Sequence, residues 1–295
     1  MSRVLVTGSA GRLGRSVVTS LAAAGHEVIG VDPAPGSPPE AAAVLPADLT
    51  DLGEAHSVIA RFRPEAVVHL AAIAVPFSRS EATTFRVNTQ LAFNVCAACV
   101  ALGVDRLVVA SSPTVIGYGA PGGWTPSYLP LDEDHPTEPW NAYNLSKLVA
   151  EQTMKAFARS TETTRMAAFR PCFVVAPEEW EGAPTQTGHT ITERLERPEL
   201  GGTSLFNYLD ARDAGDFVDA LLAGLARPET NGEVFFAGAA DALAREPLAE
   251  LLPAVMPETK GLASVLTGTA PAFSSAKAER LLGWTAKRSW RTELS

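Results

Sequence analysis

Tyr143-Asn144-Leu145-Ser146-Lys147 places a phenol and an ammonium four residues apart. On a helix these two positions share a face. A cation beside a phenol favours the phenolate, so the pair predicts a lowered Tyr143 pKa and a general acid–base group working near neutral pH. The spacing alone is common in helices, where such a tyrosine is a packed phenol and such a lysine a solvated charge. What lies upstream gives it weight. Arg106-Leu107-Val108-Val109-Ala110 reads as a buried strand ending in Ser111-Ser112. A hydroxyl at a strand's C-terminal edge can hydrogen-bond a carbonyl or alcohol oxygen, and the trio then lacks only a hydride acceptor alongside.

The start of the chain supplies a place for one. Val4-Leu5-Val6-Thr7 is a short apolar run, which reads as a buried strand. It enters Gly8-Ser9-Ala10-Gly11-Arg12-Leu13-Gly14, and an apolar helical pattern through Val17, Val18, Leu21 and Ala22 follows. Strand, glycine turn and helix in that order make a phosphate cradle. Glycine permits the tight turn and the close approach of a pyrophosphate, and the helix start offers free N–H groups. Eighteen positions after Gly14, at the end of the next apolar run, stands Asp32. An acid there accepts from both hydroxyls of an adenosine ribose and repels a 2′-phosphate, which favours NAD over NADP. The bland alternative is that Asp32 opens the turn Asp32-Pro33-Ala34-Pro35-Gly36.

The bulk composition fits an ordinary globular protein that can build a sizeable core, and it argues against other classes. The 295 residues are 46% hydrophobic and 19% charged, enough for one large α/β domain or a nucleotide domain with a smaller lobe. A net charge of −9, with no basic run beyond Ala286-Lys287-Arg288 and nearby Arg291, leaves no footprint for nucleic acid and argues weakly against a surface that collects anionic lipid. No apolar segment is long enough to span a bilayer, and the chain enters its first strand without a charged leader. The three cysteines, Cys96, Cys99 and Cys172, suit a reducing cytoplasm. Cys96-Ala97-Ala98-Cys99 lies within a helical pattern, so it reads as two buried small residues rather than a redox pair. No metal is called for.

The elements that must position these groups alternate. A short third strand ends in Asp48. A helix runs from about 52 to 63, and a fourth strand, Glu65-Ala66-Val67-Val68-His69, opens onto Leu70, Ala71 and Ala72. His69 reads as a satisfied core histidine. A long helix from about 82 to 102 is interrupted by Asn88 and Asn94, and Gly103 closes it. After the Ser111-Ser112 strand and a loop over 117–139, a helix from about 140 to 159 and a strand over 165–170 follow. Alternation of this kind predicts a doubly wound parallel α/β sheet, the Rossmann fold, with helices on both faces. The expected division is a dinucleotide-binding domain over 1–170 and a smaller lobe over 171–204 and 238–295. Residues 205–237 return to the first domain through strands at Leu205–Leu209 and 232–237 and a helix capped by Asp210.

At this point the chain resembles the extended short-chain dehydrogenases/reductases, which include NAD-dependent sugar epimerases and dehydratases. Thr7 to Gly14 matches Thr-Gly-x-x-Gly-x-x-Gly, Asp48-Leu49 the adenine-contacting pair, His69-Leu70-Ala71-Ala72 the fourth-strand motif, and Val87-Asn88 the helix asparagine. Ser111-Ser112-Pro113-Thr114-Val115-Ile116-Gly117 is similar to Ser-Ser-x-x-Val-Tyr-Gly, Tyr143 and Lys147 match the catalytic pair, and Arg170-Pro171 opens the segment that borders the nicotinamide. The resemblance implies that Tyr143 exchanges a proton with substrate, that Lys147 lowers its pKa and binds the nicotinamide ribose, and that Ser112 positions the reacting oxygen, assisted by Ser111 or Thr114. It also implies NAD held by Gly8, Ala10, Gly11, Arg12, Leu13, Gly14, Asp32, Asp48, Leu49, Leu70, Ala71, Ala72, Asn88, Ser111 and Pro171. Members of the family often dimerise through the helices that hold Asn88 and Tyr143, so a homodimer is an expectation, although the apolar face from Phe85 to Leu102 could equally lie against the sheet.

Two departures matter. Phe173 replaces an asparagine that contacts sugar or phosphate in many nucleotide-sugar enzymes, and Ile116 stands where tyrosine is common. Both make the cleft less polar and weigh against a nucleotide-diphosphate sugar. No acid follows Ser112, which argues against dehydration. The leading expectation is therefore an NAD-dependent oxidoreductase acting on a secondary alcohol or ketone of a sugar or small hydroxylated metabolite. The alternative is a nucleotide-sugar epimerase with tightly held NAD. A non-catalytic dinucleotide sensor should have lost Tyr143 or Lys147, and both are present. Val75, Pro76, Phe77, Ser78, Tyr118, Phe173, Tyr208 and Arg212 are candidates for the substrate pocket.

Overall fold

The computed structural model describes residues 1–295 except Pro35 and Ser37. Its centre is a seven-stranded parallel sheet in the order β3-β2-β1-β4-β5-β6-β9. The strands are β1 (Arg3–Thr7), β2 (Glu27–Val31), β3 (Ala43–Leu45), β4 (Ala66–His69), β5 (Arg106–Ala110), β6 (Arg165–Pro171) and, late in the chain, β9 (Val234–Ala237). They are apolar on both faces because both faces are covered. Val4 and Val6 join one core with Val17, Val18 and Leu21 of α1 (Arg12–Ala23) and Phe217 and Leu221 of α8 (Ala211–Gly224). Leu5 points to the other core, with Val58 of α2 (Leu52–Phe62), Val95 of α3 (Glu81–Ala101) and Met154 of α4 (Ala142–Ser160). Cys96 and Cys99 sit in that second core as free, fully buried thiols, and burial pushes both pKa values up. Strand order reverses between β1 and β4, which leaves a crevice at the C-terminal edge of the sheet.

The remaining elements build a wall beside that edge. A two-stranded parallel sheet pairs β7 (Val174–Val175) with β8 (Leu209–Asp210). Around it lie α5 (Pro177–Trp180), α6 (Ile191–Glu196), α7 (Glu199–Gly202), α9 (Leu248–Val255) and α11 (Trp290–Glu293), whereas α10 (Ala276–Leu282) packs on β9 and α8 of the main sheet. Trp180, Ile191, Leu195, Tyr208, Leu243 and Trp290 form its own small core.

Three sequence expectations change. The third strand ends at Leu45 rather than Asp48, because Pro46 has no N–H to continue a ladder. The helix expected from Trp140 begins at Ala142, since Asn141 accepts from the Asn144 N–H at 2.9 Å as its cap. Leu205–Leu209 is not a strand. Leu205 and Phe206 have φ of 53° and 56°, so the chain turns there and buries its apolar side chains without extending. Only Leu209–Asp210 is a strand, and it pairs outside the main sheet. The turn reading of Asp32–Gly36 runs through Pro35, which lies outside the described residues. Among the described residues, no helix is long and apolar enough to cross a membrane.

Candidate active site

The crevice is a cleft of about 720 Å³. At its base the Gly8 backbone has φ +71°, and a Cβ there would stand 2.8 Å from the Ala71 nitrogen. A Cβ on Gly14 would stand 2.0 Å from the Gly8 carbonyl oxygen. Glycine is thus required for β1, the turn and α1 to close up. The helix begins at Gly11 with no side-chain cap, so its first-turn N–H groups are left for a ligand. Gly11, Arg12, Leu13 and Gly14 line the cleft, as does Asp32 at the end of β2. Asp32 accepts from the Ala10 N–H at 3.1 Å and the Ala34 N–H at 2.9 Å. These bonds fix its carboxylate and leave lone pairs for two further donors. An anion-binding turn followed by a fixed acid suits NAD.

Asparagine side chains on α3 hold the other rim. Asn88 accepts from the Ile73 N–H at 2.8 Å and donates to the Ile73 carbonyl at 3.2 Å and to Ser146 Oγ at 3.1 Å. Asn94 donates to the carbonyls of Leu49 and Thr50 at 3.0 and 2.8 Å. The polar interruptions of the apolar helix are therefore clamps on two loops that line the cleft. Asn88 itself does not line it, and neither does Ala10, whose N–H is taken by Asp32. Both differ from the expected cofactor contacts in this respect. Asp48 and Leu49 line the cleft. The Thr50 hydroxyl and N–H, which donate to Asp48, hold its carboxyl below the usual range, with help from Arg86. Leu70, Ala71 and Ala72 also line it. Thr7 Oγ1 accepts from the Leu70 and Ala71 N–H groups, both at 3.2 Å, and bonds His69 Nδ1 at 2.8 Å. His69 is a buried core histidine, as expected, and burial drives its pKa down to about 3.

Ser112, Tyr143 and Lys147 converge on this cleft. Ser112 Oγ lies 2.9 Å from Thr114 Oγ1, and its hydroxyl faces the Tyr143 phenol closely enough to favour the phenolate. The expected suppression of the Tyr143 pKa is not found. Burial raises it, and the Ser112 hydroxyl only partly opposes that. The reason is visible in Lys147, whose Nζ donates to the Ala110 carbonyl at 2.9 Å and sits 5.9 Å from the phenol ring centre. Burial also brings the Lys147 pKa down to about 8. Ser111 does not assist Ser112: its hydroxyl donates to Glu151 Oε1 at 2.5 Å. Thr114 is the residue that meets Ser112.

Of the substrate-pocket candidates, Val75, Pro76, Phe77, Tyr118 and Phe173 line the cleft. Ser78 does not. Tyr208 is buried against Asp241 and the Trp290 N–H, and Arg212 is paired with Asp210 and Glu293. Pro171 lines the cleft where expected. Arg12 does so as well, but its guanidinium is ion-paired with buried Glu179 and donates to the Val174 carbonyl at 3.2 Å. Sequence reasoning missed Trp140, Gln186, Thr187, Thr203 and Ser204. All but Trp140 come from or adjoin a Gly-, Pro- and Thr-rich stretch with no periodic signal. Among the described residues, no cluster of His, Cys, Asp and Glu could hold a metal ion.

Comparison with known proteins agrees with this geometry. The family model for the NAD dependent epimerase/dehydratase family matches residues 4–238. The UDP-glucose 4-epimerase of Azospirillum brasilense is 36% identical over 159 residues, 52% of this chain and 44% of that protein. The chain thus spans about half the length of the first curated relatives it matches. A UDP-glucose-4-epimerase from Stenotrophomonas maltophila, solved with NAD and formylated UDP-arabinopyranose, superposes with a TM-score of 0.75 at 21% identity over 100% of this chain and 96% of that one. A short-chain dehydrogenase/reductase superfamily protein from Agrobacterium tumefaciens with bound NAD gives 0.73 at 24% identity over 99% and 94%. At these identities the structural likeness speaks for the shared fold.

Proposed function

The chain belongs to the NAD dependent epimerase/dehydratase family, and from that premise we propose that it inverts a secondary alcohol centre of a nucleotide-linked sugar by oxidation and re-reduction. It is an NAD-dependent enzyme of the extended short-chain dehydrogenase type. The observation that carries the proposal is the convergence of Ser112, Tyr143 and Lys147 on the same cleft as the glycine turn and Asp32. Curated relatives named as UDP-glucose 4-epimerases support inversion over net oxidation.

When bound, NAD supplies a hydride acceptor and donor. The chain supplies the rest. Asp32 takes the adenosine ribose, Asp48 and Leu49 border the adenine, and the N–H groups at the start of α1 take the pyrophosphate. Ser112 holds the reacting oxygen, with Thr114 fixing the Ser112 hydroxyl. Tyr143 removes the alcohol proton and returns the same proton to the ketone oxygen, so one group serves both half-reactions. Lys147, whose Nζ donates to the Ala110 carbonyl, takes the nicotinamide ribose.

A second reading, net dehydrogenation of a smaller sugar, is favoured by Phe173 and by the apolar lining from Val75 to Phe77. One assay separates the two. Protein loaded with NAD is given UDP-glucose or UDP-galactose, and the sugar is followed by NMR while NADH absorbance is recorded. Inversion at C4 without NADH accumulation supports the epimerase. Stoichiometric NADH with no inverted sugar replaces it by the dehydrogenase. We also propose that α3 and α4 pair with those of a second copy. In support, Phe93 and Leu145 are 52% and 41% exposed on these helices, and sedimentation would report a dimer.

A further inference from the structure

The first turn of α1 is positive twice over. A helix start is the positive end of its dipole, where acids are favoured and cations are not, yet this turn holds Arg12 and Arg15 and no acid. The answering charges come from α5, in the wall. Arg15 pairs with Glu178 at 2.6 Å, and both are half-exposed. Arg12 pairs with Glu179, whose side chain is only 2% exposed. Glu179 Oε2 accepts from the Ala176 N–H at 2.9 Å, so the same carboxylate closes the entry to α5. The Arg12 Nη2 that meets Glu179 also donates to the Val174 carbonyl of β7 at 3.2 Å. One guanidinium of the glycine turn thus ties down both the strand and the helix that begin the wall. Burial raises the Glu179 pKa, and the Ala176 N–H and Arg12 oppose the rise, so the carboxylate depends on this cation to stay charged.

Both wall contacts use Nη2. Among the described residues Nε and Nη1 of Arg12 carry no bond, and Arg12 lines the cleft with Gly11 and Gly14, where the first-turn N–H groups are left for an anion. A guanidinium is a flat fork of five donors, so its separate edges can hold two anions at once. We propose that Arg12 bridges cofactor and wall, its free edge taking the NAD pyrophosphate while Nη2 keeps Val174 and Glu179, and that Glu179 is the positioning residue that holds the bridge. Filling the cradle then stiffens β7 and α5. Phe173 and Val174 line the cleft from this stretch. The sugar therefore meets a wall that NAD has already ordered, and the two bind with positive coupling. The coupling requires NAD in the cleft but no particular sugar, and so goes beyond the epimerase reading.

The test is hydrogen–deuterium exchange of the peptide over residues 174–182, read as the ratio of rates without and with saturating ligand. NAD slows exchange in the parent by at least ~5-fold, the low end of couplings between sites. ADP-ribose, which carries the pyrophosphate without the nicotinamide, does the same. Arg12→Gln binds NAD about 10-fold more weakly, the scale of a lost charge-assisted hydrogen bond, and at saturation NAD no longer slows exchange of the wall. Glu179→Gln loses the protection in the same way, while its NAD affinity changes less, because Arg12 still meets the phosphate. Arg12→Lys keeps the charge without the fork and falls between. A pair with a merely structural role would speed exchange with and without NAD alike and leave the parental ratio. Should Glu179→Gln not fold, the two Arg12 variants carry the test, since that side chain is 30% exposed. Exchange that NAD leaves unchanged in the parent overturns the proposal. Protection by NAD but not by ADP-ribose does so too, because it assigns the effect to the nicotinamide end, and so does a parental ratio in the folded variants. Failure of the epimerase reading shows separately, as NADH accumulation in the turnover assay, and leaves this experiment unaffected, since no sugar is present in it.

Discussion

Glu151 and Arg170 face each other through two buried hydrogen bonds, Nε to Oε1 at 2.8 Å and Nη2 to Oε2 at 2.9 Å. Ser111 donates to the same Oε1. Three elements meet there: α4, which carries Tyr143 and Lys147, β6, and the end of β5, which carries Ser112. The pair therefore sets the distance between the helix and the sheet edge, and with it the approach of the phenol to the Ser112 hydroxyl.

Removing one partner of a buried pair leaves the other charge unmatched, which costs about 3–5 kcal/mol. Arg170 is already short of a partner at Nη1. Glu151→Gln is expected to lower the unfolding free energy in urea by that amount. A loss below about 1 kcal/mol would mean that water or another group solvates Arg170, and that the pair does not hold α4 in place.

Tyr143→Phe keeps the ring in its buried place and removes only the phenol. Turnover should fall by at least ~100-fold, the scale of a lost general acid–base, while NAD affinity stays within about twofold. Turnover close to that of the parent would sink the role assigned to Tyr143.

Asp32→Ala removes the acid proposed to meet the ribose hydroxyls. The ratio of NAD to NADP affinities should shift toward NADP by at least ~10-fold, since repulsion of the 2′-phosphate and the hydroxyl bonds are lost together. An unchanged ratio in a fluorescence titration would leave Asp32 with only its bonds to Ala10 and Ala34.

The parts of this site that a reader could find in the sequence are those where residue type alone dictates geometry. Gly8 and Gly14 of the turn tolerate no Cβ, the β1 and β5 runs must be buried, and a Tyr–Lys pair four apart must share a helix face. What stayed hidden depends on tertiary placement. Nothing local in Asn88 or Asn94 says that a polar break in an apolar helix clamps a loop. The phenol's raised pKa depends on how deeply α4 packs, and Lys147 spends a hydrogen bond on Ala110. The wall holding Glu179 comes from residues 171–204, whose sequence follows neither a period of two nor one of 3.6. Leu205 to Leu209 misled for the converse reason: an apolar run was buried by two left-handed turn residues instead of by an extended strand.

His69 offers a check on the sheet itself by pH. Its folded pKa is pushed down to about 3 by burial, against an ordinary value of about 6.5. Above the ordinary value both folded and unfolded chains hold the ring neutral, and the group has no effect on the pH slope. As pH falls below it, the unfolded chain takes up a proton that the native chain refuses. Stability is therefore lost progressively between about pH 6.5 and pH 3, with a slope near 1 kcal/mol per pH unit. Carboxylates titrate in the same window, so the diagnostic quantity is the difference between parent and His69→Gln in urea unfolding at several pH values. The variant lacks the bond to Thr7 at every pH, which displaces its curve by a constant, but its slope should be shallower by that amount. Parallel curves would mean that His69 accepts its proton in the folded state and that the Thr7–His69 contact beneath Leu70 and Ala71 opens to water.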